Sequence, residues 1–80
     1  MSRDDNLREK ILSGRSDANI RFEDLRSFLL RLGFAERTRG GHHMFRREGV
    51  RELINLQRHG SQAKPYQVRQ VRQAVLKYHL

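Results

Sequence analysis

The chain reads as an α+β domain in which two helices cover one face of a three-stranded antiparallel sheet. Three observations predict this. Phe22, Leu25, Phe28, Leu29 and Leu32 recur at helical spacing ahead of Gly33. Residues 34–57 break into short apolar-alternating runs separated by Gly40-Gly41 and Glu48-Gly49. Val68, Val71 and Val75 then form a second helical stripe behind Lys64-Pro65.

Residues 4–12 open with two acids and carry Leu7 and Ile11 four apart, with Lys10 near the end. Acids in front and a base behind complement the helix dipole, so a short helix of about two turns is expected here. Ser13-Gly14-Arg15-Ser16-Asp17-Ala18-Asn19 is dense in turn formers and reads as a loop. Together residues 1–19 read as an N-terminal extension, a lid or appendage to a core of residues 20–80.

The helix at residues 22–32 has Glu23 and Asp24 in its first turn, Arg26 and Arg31 later, and Gly33 as a stop. Residues 34–39 are too few for a helix between two glycines and predict a strand. Residues 42–47 predict a second strand, with His43 and Phe45 on one face and His42, Met44 and Arg46 on the other. Residues 50–57 predict a third, with Ile54 and Leu56 sharing a face opposite Leu53, Asn55 and Gln57. Residues 58–63 read as a loop. The final helix buries Tyr66, Val68, Val71, Val75 and Tyr78 and turns Arg69, Arg72 and Lys77 outward. No repeat or linker interrupts the chain, so eighty residues make one domain, with two stripes packed on one sheet face and the other bare.

A chain of this length buries roughly 60% of the surface its unfolded form exposes, which leaves no room for a deep substrate cavity. Chemistry on an open face suits a polymer better than a metabolite. The absence of cysteine excludes disulfides and thiolate zinc sites and fits a reducing compartment. No apolar run approaches the roughly 20 residues of a membrane span, and no signal-peptide pattern opens the chain, so a cytoplasmic protein with no membrane partner is expected. No cofactor is expected either, metal or small molecule.

Charge points to the partner. The chain carries 17 Lys+Arg against 9 Asp+Glu, a formal +8. Residues 1–32 hold 7 basic and 6 acidic side chains, whereas residues 33–80 hold 10 and 3, a net of +7. One strongly basic half is an electrostatic footprint for a polyanion, or for an acidic protein partner.

The candidate site is Arg39-Gly40-Gly41-His42-His43-Met44-Phe45-Arg46-Arg47. Gly40 and Gly41 permit a tight turn and close backbone approach. His42 places an imidazole, which titrates near neutral pH, at the mouth of that turn. RNA brings its own nucleophile, the 2′-OH, so a protein that positions the strand and moves protons suffices to cut it. Arg37, Arg39 and Arg46 are candidates for holding phosphates. Lys64, at the front of the last helix, is another, beside free backbone N–H groups. His43 and His59 are candidates for a second proton carrier, and that choice stays open; His43 also shares a face with Phe45 and has a packing role open to it. Four histidines do not suggest zinc, because adjacent strand residues point to opposite faces. Arg69 and Arg72 read as a solvated face and Tyr66 as core.

Phe22-Glu23-Asp24-Leu25, Leu32-Gly33-Phe34, Gly40-Gly41-His42-His43-Met44-Phe45 and Lys64-Pro65-Tyr66-Gln67-Val68 resemble, in order and spacing, the HicA toxins, the mRNA interferases of toxin–antitoxin pairs. The similarity spans about residues 20–80. It implies a double-stranded-RNA-binding-like α-β-β-β-α fold, metal-independent cleavage of mRNA, and a neutralising HicB-like acidic antitoxin over the active face. The family's Gly-Ser-His signature falls on Gly40, Gly41 and His42, which makes His42 the implied catalytic residue. Gly41 replaces the signature serine and removes a hydroxyl from the turn. Two other readings share the same charge: an RNA-binding module without catalysis, and a basic adaptor that docks an acidic protein.

Overall fold

A computed structural model describes residues 3–80; Met1 and Ser2 of the expected extension lie outside them. In chain order it contains α1 (Arg3–Ser13), a 3-10 turn (Asp17–Asn19), α2 (Phe22–Arg31), β1 (Ala35–Arg39), β2 (His42–Arg46), β3 (Ile54–Leu56), β4 (Arg58–His59), β5 (Gln62–Ala63) and α3 (Pro65–Tyr78). The expected α+β architecture of helices against a three-stranded antiparallel sheet is present, in strand order β1-β2-β3, and a two-stranded sheet β4-β5 accompanies it.

α2 forms where the apolar spacing places it and buries Phe22, Leu25, Phe28 and Leu29. Gly33, at φ 94°, ends it. The Gly33 N–H donates to Leu30 O and the Phe34 N–H to Leu29 O, both at 3.1 Å, which satisfies two terminal carbonyls in a Schellman arrangement. Chain direction then reverses into β1.

The β1–β2 register pairs Ala35 with Arg46, Arg37 with Met44, Thr38 with His43 and Arg39 with His42. β2 pairs with β3 through His43–Leu56, Met44–Asn55 and Phe45–Ile54. Period-two alternation turns Phe45, Ile54 and Leu56 inward, where all three are fully buried against the helices. The opposite sheet face is open.

Several elements differ from expectation. β3 starts at Ile54 rather than residue 50, because α3 claims the chain just before it. The Arg51 N–H donates to the Tyr78 hydroxyl, and Glu52 accepts from Lys77 Nζ at 3.1 Å. Residues 58–63 are a hairpin, not a loop. Gly60 supplies the positive φ, and the hairpin is bonded into the body by Phe22 N–H to Ser61 O and Ala63 N–H to Ile20 O. Gly-Ser at a two-residue turn is a recognised hairpin signal.

α1 is neither lid nor appendage, since Ile11 is fully buried in the common core. Arg72 does not face solvent: it pairs with Asp17 at 2.9 Å and donates to Ile11 O at 3.1 Å, which ties α3 to the segment after α1. Tyr66 is exposed rather than core; Gln67 and Ala74 take buried places on α3 instead.

Candidate functional site

Three cross-strand rows organise the open sheet face. Ala35, Arg46 and the neighbouring Leu53 form one; Arg37, Met44 and Asn55 the next; Arg39 and His42 the third, at the hairpin end. Successive rows are about 7 Å apart along the strand. Arg37, Arg39, His42 and Arg46 are all exposed, and no carboxylate side chain belongs to these rows.

Ion pairing sorts the cations. Arg26, Arg58, Arg72 and Lys77 pair with acids and hold elements together. Among the described residues Arg37, Arg39 and Arg46 form no such pair, so their positive charge faces solvent without local compensation. His42 lies among them with its ring exposed.

The turn that presents His42 uses its two glycines unequally. Gly40 has φ 61°, which glycine adopts without strain, whereas Gly41 is not in the left-handed region. Positive φ at the first turn position alone is the pattern of a type II′ hairpin. A Cβ on Gly41 would meet only Gln57 Nε2, at 4.0 Å.

Gln57, which sequence reasoning passed over, also links Lys64 to the site: its Oε1 accepts from Lys64 Nζ at 3.2 Å. Lys64 is thereby bonded to a residue whose amide nitrogen stands close to Gly41. The helix front has little left for an anion. Gln67 and Val68 N–H groups return to Lys64 O at 2.9 and 3.2 Å, the Lys64 N–H goes to Gln67 Oε1, and Pro65 has none.

His43 points away from His42. Its Nδ1 lies 2.8 Å from Glu36 Oε2, and its ring meets Phe22 edge-on with centroids 4.8 Å apart. An ionised carboxylate only accepts, so Nδ1 is the donor in this hydrogen bond. Arg26 grips the same carboxylate at 2.7 Å and, with Arg58, also pairs with Glu23. The Arg26 guanidinium, then the His43 hydrogen bond, hold Glu36 below the ordinary carboxylate range against burial, which pushes it up. His43 is thus a packed, bonded member of the helix-facing side and does not share the open face with His42. His59 is exposed on the second hairpin, outside the three rows.

Fold and site together define a small α+β domain that carries one solvent-facing imidazole on a basic, acid-free sheet face. No protein-family model, no curated protein and no solved structure matches the chain.

Proposed function

We propose that the chain is a metal-independent endoribonuclease that cuts mRNA, the toxin of a HicA-like toxin–antitoxin pair. The observation that carries this reading is the placement of His42 among three uncompensated arginines on the open face. In residues 22–78 a helix, three sheet strands, a short two-stranded hairpin and a helix follow in turn, an order that supports a double-stranded-RNA-binding-like scaffold with the hairpin and α1 as additions.

In the proposed reaction the 2′-oxygen attacks the adjacent phosphorus, the P–O5′ bond breaks, and the products are a 2′,3′-cyclic phosphate and a 5′-hydroxyl. His42 takes the 2′ proton or donates one to the leaving 5′-oxygen, help typically worth 10²–10⁴-fold. Water serves the other oxygen, since His43 faces away. Arg39, paired across the strands with His42, stabilises charge on the reacting phosphate, and Arg37 and Arg46 hold its neighbours. A single imidazole gives a slow enzyme, yet one cut per messenger is enough to silence it.

A HicB-like acidic antitoxin fits the same face, where its carboxylates would meet the arginines and an apolar anchor would meet Met44 and Leu53. The proposed site of action is the cytoplasm. Expression of the chain alone tests the reading: growth arrest with fragmented mRNA is expected, and His42→Ala abolishes both while keeping the fold and RNA binding. A His42→Ala protein as toxic as wild type removes His42 from the mechanism.

A further inference from the structure

One feature of the open face has no part in the proton transfer. Beside the His42 row, Ala35, Glu36, Arg37, Met44, Arg46 and Leu53 line a depression of about 440 Å³. That lies at the lower end of the volumes of ligand sites. Its floor is apolar: Met44 is half-buried, and Leu53 is 40% exposed, one of few large apolar side chains left to solvent. Arg37 and Arg46 line it as well, and among the described residues neither has an ion-pair partner. The Glu36 carboxylate is turned through the sheet to Arg26 and His43, so no negative charge enters from this side.

An apolar floor between cations suits a flat, weakly polar group joined to an anion. A nucleotide has that composition: a base with π faces and a phosphate. Unstacked bases of single-stranded RNA are commonly held on apolar side chains and Arg planes while backbone charges are neutralised alongside. The depression begins one row, about 7 Å, from His42, within reach of a base adjoining a phosphate held there.

We propose that this depression is a nucleobase seat that holds an unpaired base next to the phosphate at His42, with Met44 and Leu53 against its face and Arg37 and Arg46 on the flanking phosphates. The seat rests on the reading that RNA lies on this face, but not on cleavage. It sets the substrate class as single-stranded RNA, because a paired base must first be pulled out of its stack at an energetic cost.

The test is binding of a short 2′-O-methyl single strand, which cannot be cut, by the full chain. Copies of the strand carry one abasic sugar walked along the sequence, so all have equal phosphate charge. With wild type, one abasic position weakens binding about tenfold. Leu53→Ala and Met44→Ala bind the intact strand about fivefold more weakly and lose the abasic discrimination, with unchanged circular dichroism. If every abasic strand binds like the intact one, if a duplex binds as tightly as the single strand, or if neither binds, the seat is overturned. Cleavage of ordinary RNA by the same proteins reads the nuclease proposal separately. Cutting without abasic discrimination sinks the seat alone, and discrimination without cutting sinks the nuclease alone.

Discussion

His43 Nδ1 and Glu36 Oε2 lie 2.8 Å apart on the helix-facing side of the sheet, while the adjacent His42 ring stands on the other side. Strand geometry, which sends consecutive side chains to opposite faces, splits the histidine pair into a structural ring and a free one. The two substitutions to alanine therefore have different consequences. His43→Ala removes the Phe22 ring contact and leaves Glu36 with one partner fewer, and is expected to lower stability by about 1–2 kcal/mol in chemical denaturation. His42→Ala is expected to leave the midpoint within about 0.5 kcal/mol, as surface changes do. A reversed order of the two would contradict the assignment.

Glu36 is the pH-sensitive part of this network. Its carboxyl is held below the usual range by Arg26 first and His43 second. A carboxylate with a depressed folded-state pKa stabilises the fold above its unfolded value, near 4.5, and loses that contribution as pH falls through the folded value. Glu36→Gln should thus be about 1–2 kcal/mol less stable than wild type at pH 7, by analogy with hydrogen bonds to charged groups. The gap should narrow as pH falls below about 4.5, where the unfolded state begins to take up the proton that the folded carboxylate resists. Denaturation curves at pH 7, 5 and 3 check this; a gap that persists or grows on acidification contradicts it.

Gly40 and Gly41 make opposite predictions. Gly40→Ala forces a side chain to φ 61° and is expected to destabilise by about 1 kcal/mol. Gly41→Ser meets only Gln57 Nε2 at 4.0 Å and requires no left-handed backbone, so it should fold as wild type. Gly41→Ser also introduces a hydroxyl beside His42, and under the proposed function the expected outcome is faster RNA cleavage. Single-turnover rates of the two proteins decide it, and a slower Gly41→Ser enzyme would count against any role for that hydroxyl.

Much of this arrangement was legible in the sequence. The Phe22 to Leu32 stripe with Gly33 behind it specified α2, and Gly40-Gly41 between alternating runs specified the hairpin that presents His42. Alternation alone also put His43 with Phe45. What escaped was set by contacts distant in sequence. Glu52, claimed by the end of α3, shortens β3; Asp17 draws Arg72 out of solvent across 55 positions. Gln57 has no distinctive local pattern and gains its role only through the bond from Lys64, seven positions on. Gly60-Ser61 was a readable hairpin signal, outweighed by the polar residues around it.

Uncompensated arginines imply a salt signature. Single-stranded RNA binding should weaken steeply between 50 and 200 mM salt, and Arg37→Ala, Arg39→Ala and Arg46→Ala should each lower the slope of log K against log salt by about 0.7. Arg72→Ala, whose guanidinium is engaged by Asp17, should leave the slope unchanged and instead lower stability. Equal slopes for all four variants would mean that the open face is not where the RNA phosphates lie.

The central claim is that the exposed imidazole of His42 moves a proton during RNA cleavage. The direct measurement is incubation of the purified chain with a single-stranded RNA in excess chelator, with analysis of product ends. The account predicts fragments ending in 2′,3′-cyclic phosphate, and at least a hundredfold loss of rate for His42→Ala at undiminished RNA affinity. Intact RNA, or His42→Ala cutting at the wild-type rate, would contradict it.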